Sequence, residues 1–294
     1  MRSFALSLVS FLMILPSFPS RSVQAQDMPL SQILIDGEGW KLVADGFQFT
    51  EGPAVDKDGN VFFTDIPRDK IFKLTPDDQI TTFVADSKKT NGLMFGPDGL
   101  LYGCQNGEKR IVAFDAAGNA TAIATDVTSN DLVVTRKGTI YFTDPENKKV
   151  WRIDEKRQRH VADEGIERPN GIILWPDQRT IVVSDTATPY LWTFRIENDG
   201  SLAFKQPYST LQTIPGRRQS DADGMTVDTL GRVYVTSGLG LQVFDPTGRL
   251  SGVILKPQPK WLANVVFGGP NLDTLYVTCS DRIYKRKVKA QGVR

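Results

Sequence analysis

A short motif recurs six times along the chain, about forty residues apart, and each copy opens a similar pattern of short strands. Each motif begins with an acidic or amide residue, and the six copies are Glu51-Gly52-Pro53, Asn91-Gly92-Leu93, Asn130-Asp131-Leu132, Asn170-Gly171-Ile172, Asp223-Gly224-Met225 and Asn264-Val265-Val266. A period of this length with strands inside each unit is typical of a β-propeller. The sequence therefore predicts an all-β, six-bladed β-propeller whose motifs meet around one axis.

Each unit repeats one order of strands and turns. The motif leads into an apolar strand, then a turn such as Asp58-Gly59 or Asp98-Gly99, then a second strand such as Val61–Asp65. Asp-Gly between alternating hydrophobic residues is a strong hairpin signal. Third and fourth strands follow in several units, so a unit predicts a four-stranded antiparallel blade.

The last unit lacks a fourth strand, because its pattern ends with the third strand at 282–285. An orphan segment at 40–45 resembles the fourth strands of the other units. We therefore predict that this N-terminal strand completes the last blade, which closes the ring and removes a bare sheet edge. The six units form a single domain, predicted to span 38–290.

Charge limits the partners of the chain. Lys and Arg number 35 against 34 Asp and Glu, and no basic stripe is visible. This balance provides no electrostatic footprint for nucleic acid, so we predict no nucleic-acid partner. We expect a monomer that acts on a small molecule.

The N-terminus has the pattern of an export signal. Arg2 is followed by an apolar run at 4–14, and Val23-Gln24-Ala25 matches a cleavage site. The run is shorter than the roughly 20 apolar residues that span a bilayer. We therefore predict a signal peptide at 1–25, a periplasmic or secreted mature protein, and no membrane span after cleavage.

Two cysteines, Cys104 and Cys279, are the only ones in the chain. They align with adjacent positions of second strands in units that are not neighbours, so their side chains point to opposite faces. We predict two free, buried thiols.

The single histidine, His160, falls on an outer fourth strand, where a surface or packing role is expected. Four tryptophans, Trp151, Trp175, Trp192 and Trp261, are interpreted as blade core.

The motif residues predict a ring of oxygen atoms at the axis. Glu51 and Asp223 supply two carboxylates, and Asn130 and Asn170 supply amide oxygens. Buried carboxylates must be paired or bound to metal. An oxygen-only set with room for water suits one hard divalent cation. Asn91 and Asn264 are candidate substrate contacts, and the alternative is that either one only lines the channel or bonds to the backbone.

The motifs, taken together and in order, resemble the SMP-30/gluconolactonase (regucalcin-like) family. The residues that carry the resemblance are Glu51-Gly52-Pro53, Asn130-Asp131-Leu132-Val133-Val134, Thr143-Asp144-Pro145, Arg168-Pro169-Asn170-Gly171 and Asp223-Gly224-Met225-Thr226-Val227-Asp228. The resemblance covers roughly residues 40–287. Regucalcin-like members carry Arg two residues before the amide, where this chain has Thr128.

The resemblance implies a six-bladed propeller with a central divalent metal and a lactone-hydrolysing activity. It implies that Glu51, Asn170 and Asp223 are metal ligands and that Asn130 is a fourth ligand or a substrate contact. Relatives use calcium or zinc, and the oxygen-only set makes Ca²⁺ the expected cation here, with Zn²⁺, Mg²⁺ or Mn²⁺ as alternatives. It further implies that Asp223 is the catalytic acid/base, acting as general base or as nucleophile. Asp144 is the best candidate among the strand-ending aspartates to reach the substrate.

Two other functions remain open at this point. One is phosphotriester hydrolysis on the same metal ring, and the other is a non-catalytic ligand-binding propeller. The presence of both Glu51 and Asp223 favours an enzyme, because a binding module would not need two axial carboxylates.

Overall fold

The computed structural model describes residues 28–293, which form six antiparallel sheets of four strands each. Within each sheet the strands are ordered as neighbours in the chain, apart from one N-terminal strand. Consecutive sheets contact one another through their first strands, and the sixth contacts the first. The chain is therefore a closed six-bladed β-propeller, which confirms the fold predicted from the repeat.

A 3-10 turn at Leu30–Gln32 and strand β1 precede the first blade. The strands up to the end of the third blade are β1 (Lys41–Ala44), β2 (Thr50–Val55), β3 (Val61–Asp65), β4 (Lys70–Leu74), β5 (Ile80–Val84), β6 (Thr90–Phe95), β7 (Leu101–Gln105), β8 (Arg110–Phe114), β9 (Ala120–Thr125), β10 (Leu132–Val134), β11 (Ile140–Asp144), β12 (Lys149–Ile153) and β13 (Arg159–Glu164). Further 3-10 turns at Ile66–Arg68 and Asn106–Glu108 follow β3 and β7.

Blades 4 to 6 repeat the same order of strands, and from β14 onwards the described residues contain strands but no helical turn. Their strands are β14 (Pro169–Leu174), β15 (Thr180–Asp185), β16 (Tyr190–Ile196), β17 (Leu202–Thr210), β18 (Met225–Val227), β19 (Val233–Thr236), β20 (Gly240–Phe244), β21 (Leu250–Leu255), β22 (Leu262–Gly268), β23 (Thr274–Cys279) and β24 (Arg282–Lys287). Blades 1 to 6 thus begin with β2, β6, β10, β14, β18 and β22.

The N-terminal strand closes the ring. β1 pairs antiparallel with β24, with Leu42 opposite Tyr284, and becomes the outer strand of blade 6. The preceding segment is also anchored, because Ile33 is fully buried and the Trp40 indole donates to the Leu255 carbonyl at 2.9 Å. The prediction that an N-terminal strand completes the last blade is confirmed.

The hydrophobic core lies between neighbouring blades. One cluster joins Phe62 of blade 1 to Leu93 and Phe114 of blade 2. Another joins Tyr234 of blade 5 to Phe267 of blade 6, whose rings meet edge to face at 5.2 Å. Because each blade buries its faces only against its neighbours, burial of apolar area stabilises the ring as a whole.

Several smaller predictions can be compared with this architecture. Cys104 and Cys279 are free and buried, as predicted. His160 lies on β13, the outer strand of blade 3, where its Nε2 contacts Asp154 Oδ2 at 2.9 Å, in agreement with the predicted surface or packing role. The signal peptide predicted at 1–25 lies outside the described residues. No helix in 28–293 is long and apolar enough to cross a membrane.

Candidate functional site

The six motifs lie at or just before the start of the first strand of each blade, so they form one ring around the axis. In four blades the pairing to the second strand shifts register at the motif: between Glu51 and Ala54, Thr90 and Leu93, Pro169 and Ile172, and Leu262 and Asn264. Such bulges bend a strand and redirect a side chain. The ring of motif residues is therefore a product of the repeat backbone.

The glycine of the motif leaves room for the motif of the next blade. A Cβ atom on Gly52 would overlap the Asn91 carbonyl, and one on Gly171 would overlap the Asp223 carbonyl. On Gly224 it would overlap the Asn264 side chain. Only glycine permits an approach this close, so these residues set the spacing between neighbouring site residues.

Hydroxyl groups fix the main chain of the site from the neighbouring blade. Thr143 Oγ1 donates to the Asn170 carbonyl at 2.5 Å, and Ser184 Oγ donates to the Asp223 carbonyl at 2.8 Å. Both hydroxyls are fully buried on second strands, one blade before the residue they hold. Two predicted metal ligands are thus held by the preceding blade as well as by their own.

The structure brings together most of the residues predicted for the site. Glu51, Asn91, Asn170, Asp223 and Asn264 are buried in the ring. Asn130 is half-buried in the same ring, just before β10. The equivalent position of each motif in its repeat predicts that these residues meet at the axis. Their roles as ligands or substrate contacts remain predictions.

Two buried amide oxygens in this ring accept no hydrogen bond from the described residues. They are Asn91 Oδ1 and Asn170 Oδ1. The Asn170 amide is oriented by its nitrogen, which donates to Thr186 Oγ1 at 3.0 Å. Leaving a buried acceptor without a partner is costly, so an oxygen held in this way is suited to coordinate a cation or accept a ligand proton.

Asp223 is buried beside an indole. Trp261 Nε1 donates to Asp223 Oδ2 at 2.6 Å. Burial raises the pKa of Asp223 to about 7, and the hydrogen bond from Trp261 opposes that rise. The interpretation of Trp261 as blade core is wrong, because its side chain is 38% exposed and is directed to the site carboxylate.

Glu51 lies in the same electrostatic environment. Gly52 N–H donates to Glu51 Oε2 at 2.9 Å. Burial raises the pKa of Glu51 well above its usual range, and repulsion from the Asp223 and Asp131 carboxylates raises it further. Removing two or more carboxylates from water in one place is favourable only if positive charge or donors compensate.

A third carboxylate, Asp131, belongs to the ring and was not among the predicted site residues. It is 8% exposed, and burial raises its pKa to about 7. Asp131 occupies the motif position that is glycine in four other blades. That departure from the repeat was visible in the sequence and could have identified it.

Asn264 has its polar atoms engaged within the protein. Its Nδ2 donates to Glu51 Oε2 at 3.3 Å and to Asp131 Oδ2 at 3.1 Å, while its Oδ1 accepts from Val265 N–H at 2.9 Å. The structure therefore gives the Asn264 side chain three protein partners, and a substrate contact by Asn264 stays a prediction.

Asp144 is likewise occupied, at the end of β11. Thr128 Oγ1 donates to Oδ1 at 2.6 Å, and the Asn147 side-chain amide and Trp151 indole donate to Oδ2 at 2.8 and 3.0 Å. Thr128 thus orients Asp144. A substrate contact by Asp144 stays a prediction.

The candidate ligand set combines carboxylates and amides. Within the described part of the chain no cluster of three or more His, Cys, Asp or Glu side chains forms a metal site by itself. Glu51 and Asp223, together with Asn170 and its free Oδ1, fit a hard cation by the chemistry of their oxygen donors.

Beyond the motifs, the other end of the channel is apolar. A cavity of about 500 Å³ is lined there by residues that follow the motifs, such as Leu93, Leu132 and Ile172, and by turn residues such as Lys57 and Arg136. The polar ring, with its carboxylates, therefore lies next to a largely aliphatic cavity.

Comparison with known proteins places this arrangement in a family. The family described as SMP-30/Gluconolactonase/LRE-like region matches residues 49–281. A gluconolactonase of Zymomonas mobilis is 26% identical, covering 86% of this chain and 82% of the relative. Lactonase drp35 of Staphylococcus haemolyticus is 26% identical over 76% of this chain and 74% of its own length.

Solved structures show the same fold. XC5397 of Xanthomonas campestris, described as a gluconolactonase, superposes with a TM-score of 0.79 at 24% identity, covering 88% of this chain and 92% of that one. A calcium-binding regucalcin of Agrobacterium tumefaciens superposes with a TM-score of 0.75 at 17% identity, covering 87% of this chain and 95% of that one.

Proposed function

Because this chain belongs to the SMP-30/gluconolactonase/LRE-like family, we propose that it is a lactone hydrolase that uses one divalent cation bound at the propeller axis. Relatives named gluconolactonase and lactonase match most of the chain, which supports lactones as the substrate class. The observation that carries the metal part of the proposal is the buried Asn170 Oδ1, which lacks a hydrogen-bond partner in residues 28–293 and lies in a ring with two carboxylates.

Glu51, Asn170 and Asp223 would hold the cation, with Asn130 as a fourth ligand or a contact to the substrate. When bound, a divalent cation polarises a carbonyl and stabilises the developing oxyanion. Ca²⁺ suits the all-oxygen donor set, and Mg²⁺, Mn²⁺ or Zn²⁺ are the alternatives to test. The unpartnered Asn170 oxygen and the cost of burying Glu51 beside Asp223 support this assignment.

Asp223 is the residue proposed to act on the reacting atoms. The Trp261 indole holds Oδ2, so Oδ1 is the oxygen available to the reaction. Asp223 either takes the proton of the attacking water or attacks the carbonyl carbon itself. In the first case the proton moves from water to Oδ1 as the C–O bond forms, and it is later returned to the alkoxide leaving group of the opened ring.

The remaining polar groups of the ring would bind and orient the lactone. Asn91 Oδ1 is buried without a partner among the described residues and can accept a hydrogen bond from a substrate hydroxyl. Asn130, half-buried in the same ring, is placed to do the same. Holding the ester carbonyl at a fixed position supplies rate by proximity.

We also propose that the protein is exported and acts in the periplasm or outside the cell.

The test is hydrolysis of a panel of sugar and aliphatic lactones by purified protein. The protein would first be stripped with chelator and then assayed with Ca²⁺, Zn²⁺, Mg²⁺ or Mn²⁺. Turnover that is lost on chelation and restored by one of these cations supports the proposal. Turnover of phosphotriesters alone would replace lactones as the substrate class. Cation binding without turnover of either class would indicate a binding propeller instead.

A further inference from the structure

Asn264 lies between two carboxylates that come from different blades. Its Nδ2 donates to Glu51 Oε2 at 3.3 Å and to Asp131 Oδ2 at 3.1 Å. Asn264 is on β22 of blade 6, Glu51 is on β2 of the adjacent blade 1, and Asp131 precedes β10 of blade 3. In a six-membered ring blade 3 is opposite blade 6, so this amide links opposite sides of the channel.

Both polar atoms of the Asn264 amide already have hydrogen-bond partners in the protein. An amide nitrogen has two protons, and each is directed to one carboxylate. The amide oxygen accepts from Val265 N–H at 2.9 Å, which fixes which end of the side chain faces Glu51 and Asp131. All three groups are buried, so neither carboxylate can exchange this donor for water without cost.

Two glycines accommodate this pair of side chains. A Cβ atom on Gly224 would overlap the Asn264 amide, and one on Gly92 would overlap Asp131 Oδ1. Asp131 itself replaces the glycine of its own motif. The missing Cβ atoms at Gly92 and Gly224 therefore leave room for the Asp131 and Asn264 side chains of this hydrogen-bonded bridge.

The bridge acts on a single oxygen of Glu51. Gly52 N–H and Asn264 Nδ2 both donate to Oε2, while Oε1 receives no hydrogen bond from the described residues. Two donors on one oxygen select a carboxylate rotamer and leave the other oxygen for a ligand. Partners of this kind orient metal-binding carboxylates in proteins.

We propose that Asn264 and Asp131 are positioning residues that hold the Glu51 carboxylate for the axial cation and so set the affinity for it. Neither residue is itself a ligand. Asp131 fixes the Asn264 amide from across the channel, and Asn264 fixes Glu51. The inference rests on the proposed function for the assignment of Glu51 as a ligand.

The test compares Ca²⁺ binding by calorimetry in chelator-stripped wild type and variants. Asn264→Leu removes both donated bonds at similar volume, and Asn264→Asp replaces the donor with another carboxylate. We expect both to weaken Ca²⁺ binding by about 10- to 100-fold, the range for partners of metal ligands. Asp131→Asn keeps an acceptor for the Asn264 amide but removes the charge, so its effect should be smaller.

Thr278→Val is the matched control. Thr278 Oγ1 donates to the Asn264 backbone carbonyl at 3.4 Å, so this variant disturbs the same blade without touching the side-chain bridge. It should bind Ca²⁺ as wild type does. At saturating Ca²⁺, the Asn264 variants should regain one bound cation per chain, measured as metal content, because a positioning role changes the affinity for the cation and not the number of sites.

The possible outcomes are distinguishable. Folded Asn264→Leu or Asn264→Asp with wild-type Ca²⁺ affinity would overturn the inference and leave the proposed function intact. If both Asn264 variants fail to fold, the test moves to Asp131→Leu. Wild-type Ca²⁺ affinity in that variant would equally overturn the inference. Wild-type protein that binds none of Ca²⁺, Zn²⁺, Mg²⁺ and Mn²⁺ would instead refute the metal part of the proposed function, and the inference with it.

Discussion

The Trp261 indole donates a 2.6 Å hydrogen bond to Asp223 Oδ2, joining the segment before blade 6 to the site residue of blade 5. Asp223 is buried and 4% exposed, whereas Trp261 is partly exposed at the edge of the site. A buried carboxylate is stabilised in its ionised form by such a donor. The indole therefore orients Asp223 and favours its ionised form, against the effect of burial, which raises the pKa.

We predict that Trp261→Phe raises the pKa of Asp223 and lowers activity. Loss of a hydrogen bond to a charged group costs about 1.5–3 kcal/mol, so kcat/KM should fall by roughly 10- to 100-fold. The acidic limb of the pH–rate profile should move to higher pH. Trp175→Phe is the control, because its indole donates to the Gly231 carbonyl and has no contact with Asp223 in the described structure. Equal profiles for wild type and Trp261→Phe would contradict the prediction.

Asp223→Asn should abolish turnover more completely than it abolishes cation binding. Asn keeps a carbonyl oxygen for the cation, but it can neither accept the proton of water nor attack the carbonyl. We expect kcat to fall on the order of 10²-fold or more. Steady-state lactone hydrolysis at saturating metal, with metal content measured on each variant, is the test. A metal-loaded variant with near wild-type kcat would remove Asp223 from the chemistry.

The carboxylate cluster predicts an unusual pH dependence of stability in chelator-treated protein. The pKa of Asp131 rises from its usual 3.8 to about 7 in the folded state, so the folded state binds this proton more tightly. Stability from this group is fully present below the unfolded pKa and is lost as pH rises towards the folded pKa. Asp131→Asn should therefore melt several degrees above wild type near pH 8 and converge with it near pH 4. Parallel curves at all pH values would be evidence against this burial effect.

Gly224→Ala should disturb the site without changing any polar side chain. The added methyl group would overlap the Asn264 amide, and forcing an extra carbon into a packed site costs roughly 1–3 kcal/mol. We expect a lower melting temperature and weaker Ca²⁺ binding. Gly39→Ala is the control, since a Cβ there meets nothing within 4 Å. A variant with wild-type stability and affinity would show that Asn264 can move freely.

Removal of the N-terminal segment should destabilise the whole ring. A chain that begins at Thr50 loses β1, the outer strand of blade 6, and the fully buried Ile33. We expect a loss of several kcal/mol or failure to fold, because a strand and its packing are removed together. Ile33→Ala is a milder version and should cost about 2–5 kcal/mol. Thermal unfolding measures both, and an unchanged melting temperature in the truncated chain would refute the prediction.

The fold could be predicted because its signals are local and repeated. Turns such as Asp58-Gly59 mark each hairpin, and the spacing of the motifs counts the blades. The missing strand after β24 and the orphan segment near Leu42 were enough to predict how the ring closes, which the pairing of β1 with β24 confirms.

The site could be predicted only in part, because its finer contacts join residues that the repeat does not align. The role of Asp131 does not follow from the motif alone, because the second motif residue approaches the next blade closely and only the folded ring shows that contact. The position of Trp261 could not be predicted, because an aromatic residue ahead of a strand can either pack in a core or face a ligand. The sequence pattern does not separate these two cases.

The pairing of β1 with β24 also affects how the protein folds. Leu42 and Tyr284 are partners in one sheet although nearly the whole chain separates them. Contacts this distant in sequence require closure of a long loop and slow folding. Blade 6 can be completed only when the N-terminal strand β1 and the C-terminal strands β22 to β24 have come together. Glu51 meets Asn264 across the junction of the first and last blades. Cation binding should therefore develop late in folding, after blades 1 and 6 have joined.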